Sequence, residues 1–167
     1  GYGAIREDVM RETLETAFAW IRAELEQKVA RGEIGPSDLD AMLGCMQIAH
    51  SFEDASRAAD FLFDASPDEW ESKLEIFTLF DKFARPATVL ASVTSSLSIA
   101  DLAAMTYRAE LCAGLRFPDA TSAWRRVEIL RAPQTSEGTI AACREVARRL
   151  GWNVRVINEP TEFRPVR

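Results

Sequence analysis

The feature that most constrains the fold of this chain is an alternation of short apolar runs with helical stretches, which begins near residue 46. Six runs are predicted as strands: MQIA (46–49), FLFDA (61–65), TVLAS (88–92), LCAGLRF (111–117), RVEIL (126–130) and NVRVI (153–157). Helical stretches lie between them at about 69–83, 98–106 and 136–150. Strands that alternate with helices are typical of a doubly wound α/β fold, in which helices cover both faces of a mostly parallel sheet.

One pair of strands departs from the parallel arrangement. The connection between the runs at 111–117 and 126–130 is too short for the helical crossover that parallel neighbours need, so this pair is predicted to be antiparallel. The chain has no internal repeat and no low-complexity linker. We therefore expect one domain over 1–167, with a helical N-terminal region at 1–44 and an α/β core at 45–167.

The first third of the chain has a helical period. Its apolar residues recur at three- and four-residue steps, and they include Leu14, Phe18, Ile21 and Leu25. The pattern predicts one long helix over 5–31 that stops near Gly32, and a short helix over 38–43. Ser98 and the segment 135–137 are predicted to cap the helices that follow them, because hydroxyl oxygens accept hydrogen bonds from free helix amides.

Composition and charge exclude several classes of protein. The hydrophobic share of 47% and the charged share of 28% are those of a globular domain. No apolar run approaches the roughly 20 residues of a transmembrane helix, and the N-terminus lacks the pattern of a signal peptide. A net charge of −6 argues against nucleic acid as a partner. Three widely spaced cysteines and one histidine predict reduced, buried thiols in a cytoplasmic protein without a metal site.

A series of short motifs follows in the second part of the chain. The motifs are FDASPD (63–68), Lys73, VTSS (93–96), GLRFPDA (114–120), RRVEIL (125–130), TSEGTI (135–140) and PTEFRPVR (160–167). In order and spacing they resemble the nucleotide-binding domain of the 3-hydroxyacyl-CoA dehydrogenases, and the spacing holds without a gap from Asp64 to Glu128. The resemblance covers roughly the last two thirds of the chain and implies an incomplete Rossmann-like doubly wound sheet, preceded here by the long helix.

The resemblance also implies roles for residues of the substrate site. The family's substrate-hydroxyl serine falls on Ser95, and the catalytic glutamate that orients the base falls on Glu128. The catalytic histidine falls on Arg116, and an asparagine of the substrate site falls on Asp119. Because an arginine side chain stays protonated at neutral pH, Arg116 is expected to be inactive as a base.

For the cofactor, the resemblance implies NAD, with contacts carried over onto Asp68 and Lys73. The family's glycine-rich turn lets the backbone approach the pyrophosphate at a helix N-terminus. The chain opens with Gly1-Tyr2-Gly3 but has Arg6 where the third glycine belongs, and no strand is expected before it. We therefore expect NAD binding to be weak or lost, and the family's C-terminal helical domain to be absent.

Two interpretations stay open for the polar residues of this region. Arg116 beside Asp119 and Glu128 is either a new anion site or, as we prefer, an ion pair, because a buried arginine generally needs a carboxylate partner. Ser95 and Ser96 either hold a ligand hydroxyl or serve only as turn residues before the next helix.

Two classes of function follow. The first is a degenerate NAD-binding domain that acts as a binding or assembly module, with a CoA thioester or another anionic small molecule near Ser95 and Arg116. The alternative is a fragment or subunit of an active NAD-dependent dehydrogenase that oxidises 3-hydroxyacyl-CoA to 3-ketoacyl-CoA. The run at 61–65 either pairs with 46–49, which would favour a monomer, or leaves an apolar strand edge that proteins rarely expose. We expect a homodimer, formed by pairing of this edge or by exchange of the N-terminal helix.

Overall fold

The computed structural model describes residues 3–6, 11–118 and 126–159 of the chain. The chain forms two compact units, Gly1–Ala55 and Ser56–Arg167. The sequence-based expectation of one domain over 1–167 stays a prediction.

The first unit contains a two-stranded parallel sheet and helices. Its elements are β1 (Ala4–Arg6), α1 (Arg11–Ala30), α2 (Pro36–Gly44), β2 (Met46–Ile48) and the start of α3 (Phe52–Ala58). β1 and β2 run parallel, with Ile5 opposite Gln47. The predicted helix over 5–31 is therefore wrong at its start, because Ile5 lies in a strand and the helix begins at Arg11.

The end of α1 follows the glycine that the sequence singled out. Gly32 has a φ of +71°, in the left-handed region where a side chain is strained. The Glu33 amide donates to the Lys28 carbonyl at 2.9 Å, which satisfies a free carbonyl of the last helical turn. The helix therefore stops at Ala30, as the composition of the following segment predicts.

The second unit is built on a five-stranded sheet in the order β3-β4-β5-β6-β7. Its elements after α3 are β3 (Phe61–Asp64), α4 (Trp70–Phe83), β4 (Val89–Val93), α5 (Ile99–Ala104), a 3-10 turn (Ala109–Leu111), β5 (Cys112–Arg116), β6 (Arg126–Arg131), α6 (Glu137–Arg149) and β7 (Asn153–Asn158). All neighbouring strands are parallel except β5 and β6, which are antiparallel. The predicted α/β class, with one antiparallel pair toward the C-terminus, is confirmed.

The two faces of this sheet carry different layers, because successive side chains of a strand point to opposite faces. On one face α6 packs against apolar side chains of β5 and β6, with Ile140, Cys143 and Ala147 buried on the helix. On the other face α4 covers β3 and β4, and α5 covers Gly114 of β5. Helices on both faces of one sheet are the doubly wound arrangement that the sequence predicts.

Local details confirm some sequence expectations and correct others. Ser98 and Ser136 cap their helices, each accepting a hydrogen bond at 3.1 Å from the amide three residues later. Helix α3 was not predicted, since seven residues are too few to show a helical period clearly. Cys45 is exposed, so the expectation that all three thiols are buried is wrong for this residue, while Cys112 and Cys143 are buried.

Candidate functional site

The sequence-predicted site residues gather at one edge of the five-stranded sheet. β3, β4 and β5 run parallel, so their carboxyl ends meet at this edge, where ligands bind in doubly wound folds. Asp68 follows β3, Ser95 follows β4, and Arg116 ends β5. Glu128 lies on β6, which starts at the same edge because it is antiparallel to β5. These residues form two groups, one around Asp68 and one around Glu128.

The first group is a hydrogen-bonded corner between the ends of β3 and β4. One oxygen of Asp68 accepts a hydrogen bond from the Thr94 hydroxyl at 2.5 Å. The other accepts from the Ser95 amide at 2.9 Å, the Ser95 hydroxyl at 2.8 Å and the Ser96 hydroxyl at 3.1 Å. The Thr94 hydroxyl in turn accepts from the Leu97 amide at 2.9 Å. Asp68 therefore fixes the loop that carries Ser95.

The charge of Asp68 decides which way these hydrogen bonds point. Burial alone raises its pKa, but hydrogen bonds from Thr94, Ser95 and Ser96 outweigh it and lower the pKa to about 2. An ionised carboxylate only accepts, so Ser95 and Ser96 commit their hydroxyl protons to it. The exposed hydroxyl oxygens of Ser95 and Ser96 can therefore only accept hydrogen bonds from a ligand. The corner therefore suits a ligand group that donates a hydrogen bond, such as a hydroxyl, and not an oxyanion.

Lys73 lies in the interior beside this corner. Its ammonium donates to Asp64 at 3.0 Å and to the Ser66 carbonyl at 3.1 Å, and its side chain is fully buried. Asp64 also accepts hydrogen bonds from the hydroxyls of Ser66 and Ser92. A contact between Lys73 and a nucleotide requires the ammonium to leave these partners. In this structure Lys73 joins α4 to the ends of β3 and β4.

The second group is an ion pair across β5 and β6. Arg116 and Glu128 are register partners, and two guanidinium nitrogens of Arg116 lie 2.7 Å and 2.6 Å from one carboxylate oxygen of Glu128. The Glu128 side chain is 10% exposed and that of Arg116 is 37% exposed. The structure thus shows the ion pair that we preferred from the sequence. Glu128, which the resemblance implies would orient a histidine base, instead pairs with the guanidinium group of Arg116.

Further basic residues flank this pair on the same face of the sheet. Glu128 is also the register partner of Arg155 on β7, with the Arg155 guanidinium 4.0 Å from its second oxygen. Arg126 and Asn153 form the next register pair along β6 and β7. Together with Val154 these residues line a shallow depression of about 330 Å³.

Sequence reasoning missed the basic residues of this depression, although the sequence holds a signal for them. In the predicted strands RVEIL and NVRVI the polar residues alternate with apolar ones, so Arg126, Glu128, Asn153 and Arg155 are expected on one face of the sheet. The register between β6 and β7 then places them side by side. Asp119, the other predicted substrate residue, lies outside the described residues.

The residues of this chain do not fit the family's mode of holding the NAD pyrophosphate. Gly1 and Gly3 stand before β1, whereas the dinucleotide turn has its glycines between a strand and the following helix. Among the strands and helices of residues 3–6, 11–118 and 126–159, no connection from a strand to the next helix contains glycine in its sequence, including residues 7–10 between β1 and α1. The sequence predicts no strand between the opening glycines and residue 46, and this is wrong, because β1 follows Gly3 directly.

Within the described part of the chain, no three His, Cys, Asp or Glu side chains are grouped so that they could hold a metal ion. None of the helices over residues 11–118 and 126–159 is both long and apolar enough to span a bilayer.

Comparison with known proteins identifies the chain's relatives. The sequence profile of the family described as "3-hydroxyacyl-CoA dehydrogenase, NAD binding domain" matches residues 1–159. A 3-hydroxybutyryl-CoA dehydrogenase from Bradyrhizobium diazoefficiens is 28% identical over 163 residues, which are 98% of this chain and 55% of that protein. The mitochondrial hydroxyacyl-coenzyme A dehydrogenase of Mus musculus is 30% identical over 146 residues, covering 87% of this chain and 46% of that protein.

Solved structures agree with the sequence comparison. The crystal structure of (S)-3-hydroxybutyryl-CoA dehydrogenase from Ralstonia eutropha superposes with a TM-score of 0.87 at 25% identity, covering 93% of this chain and 55% of that one. A 3-hydroxybutyryl-CoA dehydrogenase from Escherichia coli gives a TM-score of 0.88 at 25% identity, over 95% of this chain and 33% of that one. The chain thus spans about half the length of the curated relatives that it matches.

Proposed function

Because this chain belongs to the family of 3-hydroxyacyl-CoA dehydrogenase NAD-binding domains, we propose that it keeps the family's scaffold as a binding or assembly module and does not catalyse hydride transfer on its own. Its ligand in this role is a small anionic molecule, with a CoA thioester as the first candidate. The alternative, a part of an active dehydrogenase, is an outcome of the experiment below.

The Arg116–Glu128 ion pair is the observation that carries this proposal. Oxidation of a 3-hydroxyl group to a ketone releases a hydride from carbon and a proton from oxygen, and a base must accept that proton. The resemblance assigns the base to the position of Arg116, whose guanidinium stays protonated and here contacts Glu128 at 2.6 Å. The Arg116 side chain therefore cannot accept the proton.

The cofactor part of the proposal rests on the strand-to-helix connections. NAD supplies the hydride acceptor when it is bound to members of this family. Between the described strands and the helices that follow them the sequence has no glycine, so none of these connections lets the backbone approach a pyrophosphate as closely as a glycine turn does. We propose that NAD binds weakly, with any contact near Asp68.

The test is NADH-dependent reduction of acetoacetyl-CoA by the full chain, followed by the loss of NADH absorbance. The Bradyrhizobium 3-hydroxybutyryl-CoA dehydrogenase serves as the positive control. We expect no turnover from this chain, whereas a rate near the ordinary enzymatic value of about 10 per second would contradict the proposal and favour the active dehydrogenase.

Two further measurements distinguish the effect of Arg116 at the base position from the effect of strand-to-helix connections without glycine. The substitution Arg116→His restores the family's residue but not the glycine turn, so we expect it to remain inactive. Calorimetry with NADH is expected to show weak or no binding. An affinity in the low micromolar range would show that tight NADH binding does not require the glycine turn, and it would contradict the cofactor part of the proposal.

A further inference from the structure

We infer that the depression on β6 and β7 is a binding site for a small oxyanion, with Arg126 and Arg155 as the residues that bind it. The inference deepens the proposed binding role and rests on it for the identity of the ligand. The site is new relative to the resemblance, which assigns no catalytic, substrate or cofactor role to Arg126, Asn153 or Arg155.

The charges of this face do not balance within the described residues. Arg116 and Glu128 neutralise each other at 2.6 Å, with Glu128 the one acidic residue in the lining. Arg155 is 75% exposed and lies only at the 4.0 Å limit from Glu128, which is already engaged. No carboxylate of the described chain forms an ion pair with Arg126. Two guanidinium groups are therefore left to bind an added negative charge.

The strand geometry holds these two groups in place. Arg126 stands beside Asn153, and Glu128 stands beside Arg155, in the parallel register of β6 and β7. Because residues two apart on a strand share a face, the side chains of Arg126, Asn153 and Arg155 project from the same face of the sheet. The backbone positions are fixed by ladder hydrogen bonds, so a ligand orders side chains and not a loop. Sites on strands are held more rigidly than sites on loops.

The chemistry of the lining selects the ligand class. A planar guanidinium donates two parallel hydrogen bonds to carboxylate or phosphate oxygens, and the Asn153 amide adds a further donor. Two unneutralised cations match the charge of about −1.5 to −2 on a phosphate monoester near pH 7. The volume of about 330 Å³ lies at the small end of ligand pockets. A phosphate group, free or at the end of a coenzyme A molecule, fits these properties.

The site also differs from the Asp68 corner in the group that it recognises. At that corner Ser95 and Ser96 offer lone pairs beside an ionised carboxylate, which repels an anion. The depression on β6 and β7 offers the guanidinium donors of Arg126 and Arg155 and the amide of Asn153, which can turn its NH2 group toward an anion. The sequence predicts one anionic ligand near Ser95 and Arg116. We assign the anion instead to the depression on β6 and β7, and a group that donates a hydrogen bond to the corner at Ser95.

The experiment is calorimetric titration of the full chain with inorganic phosphate, with succinate and with coenzyme A, at about 20 mM and about 200 mM salt. Binding of phosphate that weakens with salt is expected, since exposed charges are screened. Tighter binding of coenzyme A than of phosphate would identify the phosphate ester as the source of the anion, and equal binding would identify free phosphate. Stronger binding of succinate than of both would overturn the phosphate assignment.

Substitutions then locate the site. Arg126→Gln and Arg155→Gln are each expected to weaken phosphate binding by about tenfold, because each removes a charge-assisted pair of hydrogen bonds. Arg155→Lys keeps the charge but loses the planar fork, and we expect a smaller loss. The matched control is Arg144→Gln, which removes the same charge from an exposed position of α6 on the opposite face of the sheet and should leave binding unchanged.

The outcomes distinguish this inference from the proposed function. The oxyanion site would be overturned if phosphate did not bind, or if Arg144→Gln and Arg155→Gln weakened binding equally. In either case the reduction assay would still test the proposal that the chain does not catalyse hydride transfer. Turnover in that assay would overturn the proposed function, and the binding data would still decide the oxyanion site. Because all four substitutions are at exposed or surface positions, thermal unfolding serves as the check that each variant is folded.

Discussion

A single carboxylate, Asp68, accepts four hydrogen bonds from three consecutive residues at the end of β4. We predict that Asp68→Asn lowers the free energy of unfolding by about 1 kcal/mol at neutral pH, because an amide forms weaker bonds to the same donors. The loss is expected to be smaller than the free energy that corresponds to the whole pKa shift, because the Asp68 side chain is largely exposed and solvent screens its charge.

The pH dependence of this effect has a definite sign. The pKa of Asp68 falls from 3.8 to about 2 in the folded chain, so the unfolded chain binds more protons between these values. The stabilisation is complete above about pH 4 and disappears as the pH falls through about 2. Urea unfolding at several pH values measures it. Asp40→Asn, at an exposed position of α2, is the control, and an equal loss in both variants would contradict the prediction.

For individual residues, the order of the motifs indicates which side chains belong to the candidate site, but it does not indicate which groups those side chains contact. Asp68, Ser95, Arg116 and Glu128, to which the resemblance gives cofactor and substrate roles, lie at one edge of the sheet, and those roles stay predictions. The order of the motifs did not show that Lys73 is buried against Asp64, because nothing in a sequence distinguishes a lysine that points outward from one that pairs inside. Burial of a charge is decided by packing of the surrounding layers.

Between elements, the Lys73–Asp64 pair joins α4 to the sheet. We predict that Lys73→Met destabilises the chain by about 3 kcal/mol, because it leaves the buried Asp64 carboxylate without its cation. The double variant Lys73→Met/Asp64→Asn removes both charges and is expected to recover more than half of that loss. Chemical denaturation of the two single variants and the double variant gives the coupling energy. Additive losses would show that the pair contributes no such coupling.

The contact of α5 with β5 depends on the absence of a side chain at Gly114. A Cβ atom at Gly114 would lie 2.6 Å from Ile99 Cγ1 and 2.9 Å from Leu130 Cβ, which is closer than carbon atoms pack. We predict that Gly114→Ala costs about 2 kcal/mol of stability through overpacking. The comparison is Gly138→Ala in α6, where the nearest atom is 3.7 Å away and no loss is expected. A thermal melt that ranks the two variants the other way would refute the packing argument.

Most elements that the sequence predicted are long enough to show a period, although β2, which was also predicted, has only three residues. The five strands from β3 to β7 and the helices α4, α5 and α6 lie within a few residues of their predicted bounds. β1 has three residues, too few to show the alternation of a strand, and Ile5 fits a helical stripe equally well. Its pairing with β2 joins segments about forty residues apart, a tertiary choice that local pattern does not contain.

For the whole molecule, the apolar surface that the fold leaves exposed bears on assembly. On α1 the side chain of Leu14 is buried, whereas Trp20 is 66% exposed. Phe63 on β3 is 43% exposed, and β3 is an outer strand of the five-stranded sheet whose ladder within the described residues is with β4 alone. Apolar side chains on an outer strand are a site for pairing with another chain.

We propose that the chain forms a homodimer through one of these surfaces, by pairing of the β3 edge or by exchange of α1. The two routes differ in the substitution that they respond to. Phe63→Lys places a charge on the outer strand and is expected to block edge pairing, since lysine on an edge strand opposes strand addition. Trp20→Ser removes the exposed aromatic side chain of α1 and is expected to weaken an exchanged helix instead.

Light scattering gives the mass of the assembly directly. We expect twice the chain mass of 18.6 kDa for the unmodified protein, and a shift toward 18.6 kDa on dilution, because a dimer dissociates by mass action. One of the two substitutions should move this equilibrium toward the single chain, and the one that does so identifies the surface. Arg144→Gln, which alters neither surface, should leave the mass unchanged. A mass of 18.6 kDa at every concentration would show that the exposed Phe63 and Trp20 are tolerated in a monomer.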